Sequence, residues 1–287
     1  MACVANNFVI EIMAHRKVIF LMDSGEALQS LARFSLNNIC LPGDLKIALF
    51  YQELFNTDIE NAFRETPLPH LEYSYAQIFE KIFSISSISK VQQKEVLDLL
   101  EKCKVQPKLN FENEALQHCL YEETLFADLL LCTTSTLQKV LAYESINTQI
   151  GCAHFNCPTL VIPDTAHEIK NIFLVFDGKP TSMKAIKDFN YMLSHLYEGC
   201  EVTIISTTNN QEREQYEDKL LMQYAKLHIP DVGFMKIVGN EIVNIIEYIK
   251  KTTDTLLVFG ATGSVDGLIQ KSSLEYFEQP PIFITKN

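Results

Sequence analysis

Two stretches of the chain share one pattern of apolar and polar positions. Ile172, Phe173, Leu174, Val175 and Phe176 form a continuous apolar run that stops at Asp177, as expected of a parallel strand covered on both faces. Gly178 and Pro180 then supply turn chemistry, and Thr181 or Ser182 can cap a helix. Ala185, Ile186, Phe189, Leu193 and Leu196 recur at the spacing of one helical face. Lys17 to Phe34 repeats this strand-turn-helix unit with one residue less in the turn. Asp23 matches Asp177, and Leu28, Leu31 and Phe34 match Met183, Ile186 and Phe189. The register persists, with Ile47–Tyr51 aligned on Val202–Ser206. The chain therefore reads as two copies of one domain.

In the first copy, further strands are predicted at Leu45–Tyr51, Leu109–Glu112, Ala127–Cys132 and Thr159–Ile162. In the second they fall at Val202–Ser206, Val232–Val238, Thr255–Phe259 and Pro281–Thr285. Helices are predicted from Gly25 to near Leu41–Gly43, over 91–104, 115–124 and 212–227, and around Ile242, Ile245, Ile246 and Ile249. Strands alternating with helices imply an α/β fold with a parallel sheet covered on both faces. The expected domains are a tail over 1–15, a first domain over 16–165 and a second over 169–287. Residues 52–90, with Tyr73, Tyr75, Phe79 and Phe83, have no counterpart of that size in the second half and read as an insertion. The fifth strands, Thr159–Ile162 and Ile282–Thr285, are apolar edge segments that need cover, so they are expected to lie side by side.

Composition narrows the partners. A chain of 287 residues that is 47% hydrophobic can bury two domain-sized cores. Its formal net charge of -12 repels phosphodiester backbones and anionic membrane surfaces, so neither nucleic acid nor membrane is expected. The eight cysteines are scattered among apolar neighbours, which suits a reducing compartment, and no apolar run approaches the roughly 20 residues of a membrane helix. A cytoplasmic location is the expectation. Cys152, His154 and Cys157 lack the fourth ligand that a structural zinc needs, and Ser24 and Ser182 lack the flanking glycines of a nucleophile elbow. No metal and no catalytic residue is expected.

In an open parallel sheet, ligands bind beyond the carboxyl ends of the strands, where strand order reverses. That places Asp177 and the run Gly260-Ala261-Thr262-Gly263-Ser264 at one edge, with Ser272 and Ser273 following. Each has two readings: Gly260 and Gly263 either admit phosphate to backbone N–H groups or simply permit a turn, and Asp23 and Asp177 either meet ligand or cap a helix.

Taken in order, these pieces resemble the universal stress proteins in tandem form. The resemblance rests on Phe176-Asp177-Gly178 at the first strand end, Ala127-Asp128-Leu129-Leu130 and Thr253-Asp254-Thr255-Leu256-Leu257 before the fourth strands, and Cys157-Pro158-Thr159-Leu160-Val161-Ile162-Pro163 at a fifth strand. It implies two Rossmann-like open-sheet domains of five strands each, of the adenine-nucleotide alpha-hydrolase-like type. It also implies a non-enzymatic stress-response protein, with ATP or AMP as the ligand. Carried over, the cofactor-binding residues are Asp177, Val238 and Gly239 near adenosine, Gly260, Gly263, Ser264, Ser272 and Ser273 around the phosphates, and Gly178 beside Asp177. Ser272 stands where the family pattern has its third glycine, which implies weak binding. In the first repeat Thr134–Leu137 align with the glycine loop and contain no glycine, so no nucleotide is expected there. The alternatives are an interaction scaffold without nucleotide and, last, a nucleotide-hydrolysing enzyme. The latter lacks a Ser-Gly-Gly loop at Met22-Asp23-Ser24-Gly25 and Phe176-Asp177-Gly178-Lys179. An intramolecular pseudo-dimer, open to further dimerisation and to protein partners, completes the expectation.

Overall fold

The structure, a computed structural model, describes residues 16–39, 44–51, 89–110, 116–147, 155–163, 168–207, 211–237, 254–260 and 280–285. The first apolar run forms β1 (Lys17–Met22), whose last five residues are all buried. Ser24 then caps α1 (Gly25–Asn38) by accepting a hydrogen bond from the Ala27 amide at 3.1 Å. Ala27, Leu28, Leu31, Ala32, Phe34 and Ser35 turn one stripe of this helix into the core. It ends where Asn38 Nδ2 bonds back to the Phe34 carbonyl. The first half continues with β2 (Leu45–Tyr51), α2 (Lys90–Cys103), β3 (Val105–Asn110), α3 (Leu116–Leu125), β4 (Leu129–Thr133), α4 (Thr134–Asn147) and β5 (Thr159–Ile162). The second half is β6 (Asn171–Phe176), α5 (Pro180–Leu193), a 3-10 turn (Ser194–Glu198), β7 (Glu201–Ser206), α6 (Gln211–His228), β8 (Gly233–Lys236), β9 (Thr255–Gly260) and β10 (Ile282–Thr285).

Among the described residues ten strands join one sheet in the order β3-β2-β1-β4-β5-β10-β9-β6-β7-β8. Each half is a parallel five-stranded Rossmann-like sheet, and the halves meet where β5 pairs antiparallel with β10, Leu160 opposite Phe283. The fifth strands thus lie adjacent, each covering an edge of the other, as their apolar sequences require. Because polarity reverses at that seam, the carboxyl ends of the two sets of strands face opposite edges of the common sheet.

One continuous core lies on each face. The first collects Phe20, Met22, Leu28 and Leu31 from the first half and Ile186, Phe189 and Phe283 from the second, with the Phe189 and Phe283 rings edge-to-face at 5.3 Å. The other holds Ile19, Leu21, Leu130, Cys132, Phe155, Phe173, Val175 and Ile282. The halves also exchange polar contacts. The buried Arg16 guanidinium pairs with Asp44 through two bonds, at 3.1 and 2.7 Å, and donates to the Met192 carbonyl near the end of α5. Reciprocally, His195 Nε2 donates to the Asn38 carbonyl at the end of α1, at 2.7 Å. Each repeat thereby caps a helix C-terminus of the other.

Three elements differ from the sequence reading. The strand β3 starts at Val105, four residues before the predicted Leu109, because Pro107 argues against a strand interior yet is tolerated on this edge strand. Helix α1 stops at Asn38 rather than near Leu41. Helix α4 was not expected at all. The tail, most of the 52–90 insertion, the segment around Ile242–Ile249 and the residues Cys152 and His154 lie outside the described residues.

Candidate functional site

Strand order reverses between β6 and β9 in the second half, where Asp177 directly follows β6 and Gly260 ends β9. Pairing between them stops at Leu174 with Val258, two residues short of both strand ends. The strands therefore part at the carboxyl edge, which is how an open sheet makes a crevice. Gly178 follows at a φ of 77°, a conformation that favours glycine, and re-aims the chain into α5. Asp177 is half-buried. Its carboxylate accepts from the Lys179 amide at 3.1 Å and pairs with Lys179 Nζ at 3.1 Å, while its own amide donates to Ser182 Oγ at 3.4 Å. The lysine is 55% exposed and so is free to follow solvent or ligand. Helix α5 begins at Pro180 with Lys179 as its N-cap, and no side chain caps its first-turn amides.

Gly260 has a packing role that sequence reading did not foresee. A Cβ built there would fall 2.5 Å from the Ser182 nitrogen and closer still to the Thr181 carbonyl group. The end of β9 thus lies directly against the first-turn backbone of α5, and glycine is the side chain that permits it. This stands between the two readings of the sequence: Gly260 does allow close backbone approach, but in this structure the approaching group is the helix.

The first half places the matching residues differently. Asp23 is buried, accepts a 2.6 Å hydrogen bond from Thr136 Oγ1 and pairs with Lys139 Nζ. Thr133 Oγ1 lies 2.9 Å from Thr136 Oγ1 and accepts from the Thr136 amide, and Thr134 Oγ1 donates to the Ile162 carbonyl at 3.3 Å. Where the second half has Gly260, the strand registers give the first half Thr133, one residue before the Thr134 that sequence alignment matches to it, and α4 opens directly after it. The Asp23 carboxylate is thus paired from within by the helix that follows the strand.

Of the predicted site residues, the structure brings Asp177, Gly178 and Gly260 to one edge. Val238, Gly239, Gly263, Ser264, Ser272 and Ser273 lie outside the described residues. Neither aspartate caps a helix with its side chain; Ser24 does so for α1. At the same edge stand residues the sequence reading missed. Ser206 Oγ donates to Asp218 Oδ1 at 2.7 Å, Lys236 Nζ pairs with Asp218 Oδ2 at 3.2 Å, and the Thr207 amide donates to the Phe176 carbonyl at 2.9 Å. No local signal marks Ser206 or Asp218, since their contact depends on how α6 packs back against the end of β7. Among the described residues no group of three metal-ligating side chains occurs, and no helix is long and apolar enough to cross a membrane.

The fold and its edge define a class: a tandem α/β open-sheet protein with one aspartate buried and internally paired and the matching one half-buried. This fold is that of the universal stress proteins. No family model and no curated protein matches the sequence. Among solved structures, a universal stress protein from Archaeoglobus fulgidus DSM 4304 aligns over 95% of this chain and 96% of its own, at 12% identity and a TM-score of 0.54. A protein provisionally designated a universal stress protein, from Pseudomonas aeruginosa UCBPP-PA14, aligns over 95% and 94% at 13% identity and a TM-score of 0.49. A universal stress protein in complex with cAMP aligns over 42% of this chain and 98% of its own, at 15% identity and a TM-score of 0.34.

Proposed function

We propose that this chain is a non-enzymatic, cytoplasmic stress-response or regulatory protein of tandem universal stress type that binds an adenine nucleotide, ATP or AMP, weakly and in its second repeat alone. The contrast between the two aspartates carries the reading. Asp23 is buried and internally paired, whereas Asp177 is half-buried beside parted strands and an uncapped helix N-terminus. An N-terminus of that kind favours anions through its free amides and its dipole. Asp177, Gly178, Val238 and Gly239 are assigned to adenosine, and Gly260, Gly263, Ser264, Ser272 and Ser273 to the phosphate side. With serine in place of one glycine, affinity is micromolar or weaker, about -8 kcal/mol or less favourable.

The competing reading is a scaffold without nucleotide. It draws support from Tyr216, Leu220 and Leu227, which are exposed along one side of α6. Thermal shift with millimolar ATP and AMP, together with mass spectrometry of whatever copurifies, separates the two. Stabilisation by nucleotide supports the binding reading, and neither shift nor copurified nucleotide leaves the scaffold.

A further inference from the structure

A cluster of large apolar side chains stands uncovered at the amino edge of the first repeat. Tyr121, Leu125 and Phe126, at the end of α3 and in the turn before β4, are 46%, 52% and 74% exposed. Tyr121 and Leu125 share one helical face, and Phe126 follows directly. Single exposed apolar residues are ordinary, but a contiguous group marks a surface that something covers.

The turn that carries them is fixed to the start of β1. The Asp128 amide donates to the Lys17 carbonyl at 2.9 Å, Asp128 Oδ2 accepts from the Lys17 amide at 2.7 Å, and Lys17 Nζ pairs with Glu123 at 2.8 Å. Phe126 is two residues from Asp128, and Leu125 two from Glu123. Each therefore lies within about 7 Å of chain from a residue that touches Lys17. The chain preceding Arg16 departs beside this cluster. It carries Phe8-Val9-Ile10-Glu11-Ile12-Met13, outside the described residues and apolar at every position but Glu11. In extended chain Phe8, Ile10 and Ile12 fall on one side and Glu11 on the other. Ile12 is five residues from Lys17, a reach of up to about 17 Å, which covers the distance to Leu125 and Phe126.

We propose that residues 8–13 dock on the surface formed by Tyr121, Leu125 and Phe126, with Ile10 and Ile12 as the anchors. The tether supplies what a small apolar contact lacks. A segment on a short linker is present at an effective concentration of about millimolar, so a contact too weak to hold a separate partner is still occupied. A second copy is disfavoured, because the net charge of -12 opposes self-association and Glu122, Glu123 and Asp128 flank the cluster in sequence.

The chain contains no tryptophan, so Phe126→Trp places a single fluorescent reporter in the cluster of the full chain. Its emission should be blue-shifted from that of free tryptophan, equally at low and high protein concentration. Adding Ile10→Asp and Ile12→Asp should return it to the solvent-exposed value while the far-ultraviolet circular dichroism stays unchanged. Leu125→Trp, with the same pair of aspartates, serves as the second reporter should Phe126→Trp disturb the turn. Solvent-like emission from both reporters before the aspartates are added overturns the proposal. So does a blue shift that survives them, or one that grows with protein concentration, which would put a second copy on the cluster.

Discussion

Gly260 ends a strand and Gly199 follows a 3-10 turn, and they answer to different constraints. Nothing lies within 4 Å of a Cβ at Gly199, whereas one at Gly260 meets helix backbone that no rotamer change can relieve. Gly260→Ala should therefore cost about 1–3 kcal/mol in urea unfolding, and Gly199→Ala less than about 0.5 kcal/mol. Equal costs would show that α5 does not rest on β9. Titratable groups give a second test. Burial pushes the Cys157 thiol from 9.0 up to about 12. The folded chain thus keeps a proton that the unfolded chain loses, so this contribution to stability is complete below pH 9.0 and is lost as pH rises toward about 12. The Tyr197 hydroxyl, buried and unpartnered among the described residues, is raised by burial and then by Tyr224, and acts in the same direction. Tyr197→Phe should hold or gain about 1 kcal/mol at neutral pH and should soften the alkaline loss of stability. A steeper alkaline limb in that variant contradicts the assignment.

At the scale of elements, the two strand-aspartate-helix units show how one pattern serves two ends. Asp23→Ala removes a buried carboxylate that holds both Thr136 and Lys139, and should cost about 2 kcal/mol. Asp177→Ala removes a half-exposed pair and should change stability by less than about 0.5 kcal/mol while weakening nucleotide binding. Denaturation of the two variants side by side measures the contrast. Most of these elements were legible in the sequence because apolar runs such as Ile172–Phe176 and the 3/4 spacing of Ala185, Ile186 and Phe189 are local signals. The Thr159–Ile162 strand was readable to the residue, bracketed as it is by Pro158 and Pro163. Helix α4 was not, because its start follows β4 without a turn residue and its cap is the hydroxyl of Thr133, a strand residue. The site was legible only in part: Asp177 and Gly260 follow from strand ends. The partnership of Gly260 with the Thr181–Ser182 peptide, and of Thr285 with Gly260, is a matter of long-range register that no local pattern encodes.

The whole molecule is held as a unit by the β5–β10 seam, the shared cores and the reciprocal contacts of Arg16 and His195. Arg16→Ala withdraws the guanidinium from a buried Asp44 and from the end of α5, and should cost about 3 kcal/mol, against about 1 kcal/mol for His195→Ala. If each half were independently stable without the other, scanning calorimetry of Arg16→Ala would show unchanged melting. The antiparallel seam also sets the two carboxyl edges on opposite sides of the sheet, so Asp23 and Asp177 cannot contribute to a joint site.

The central claim is that one repeat binds nucleotide and the other is closed from within. Isothermal titration of the full chain with ATP tests it directly, with Gly263→Val and Thr134→Val as the paired variants. The account predicts one site per chain, micromolar or weaker, abolished by Gly263→Val and untouched by Thr134→Val. Two sites per chain, or no heat at millimolar ATP, would contradict it.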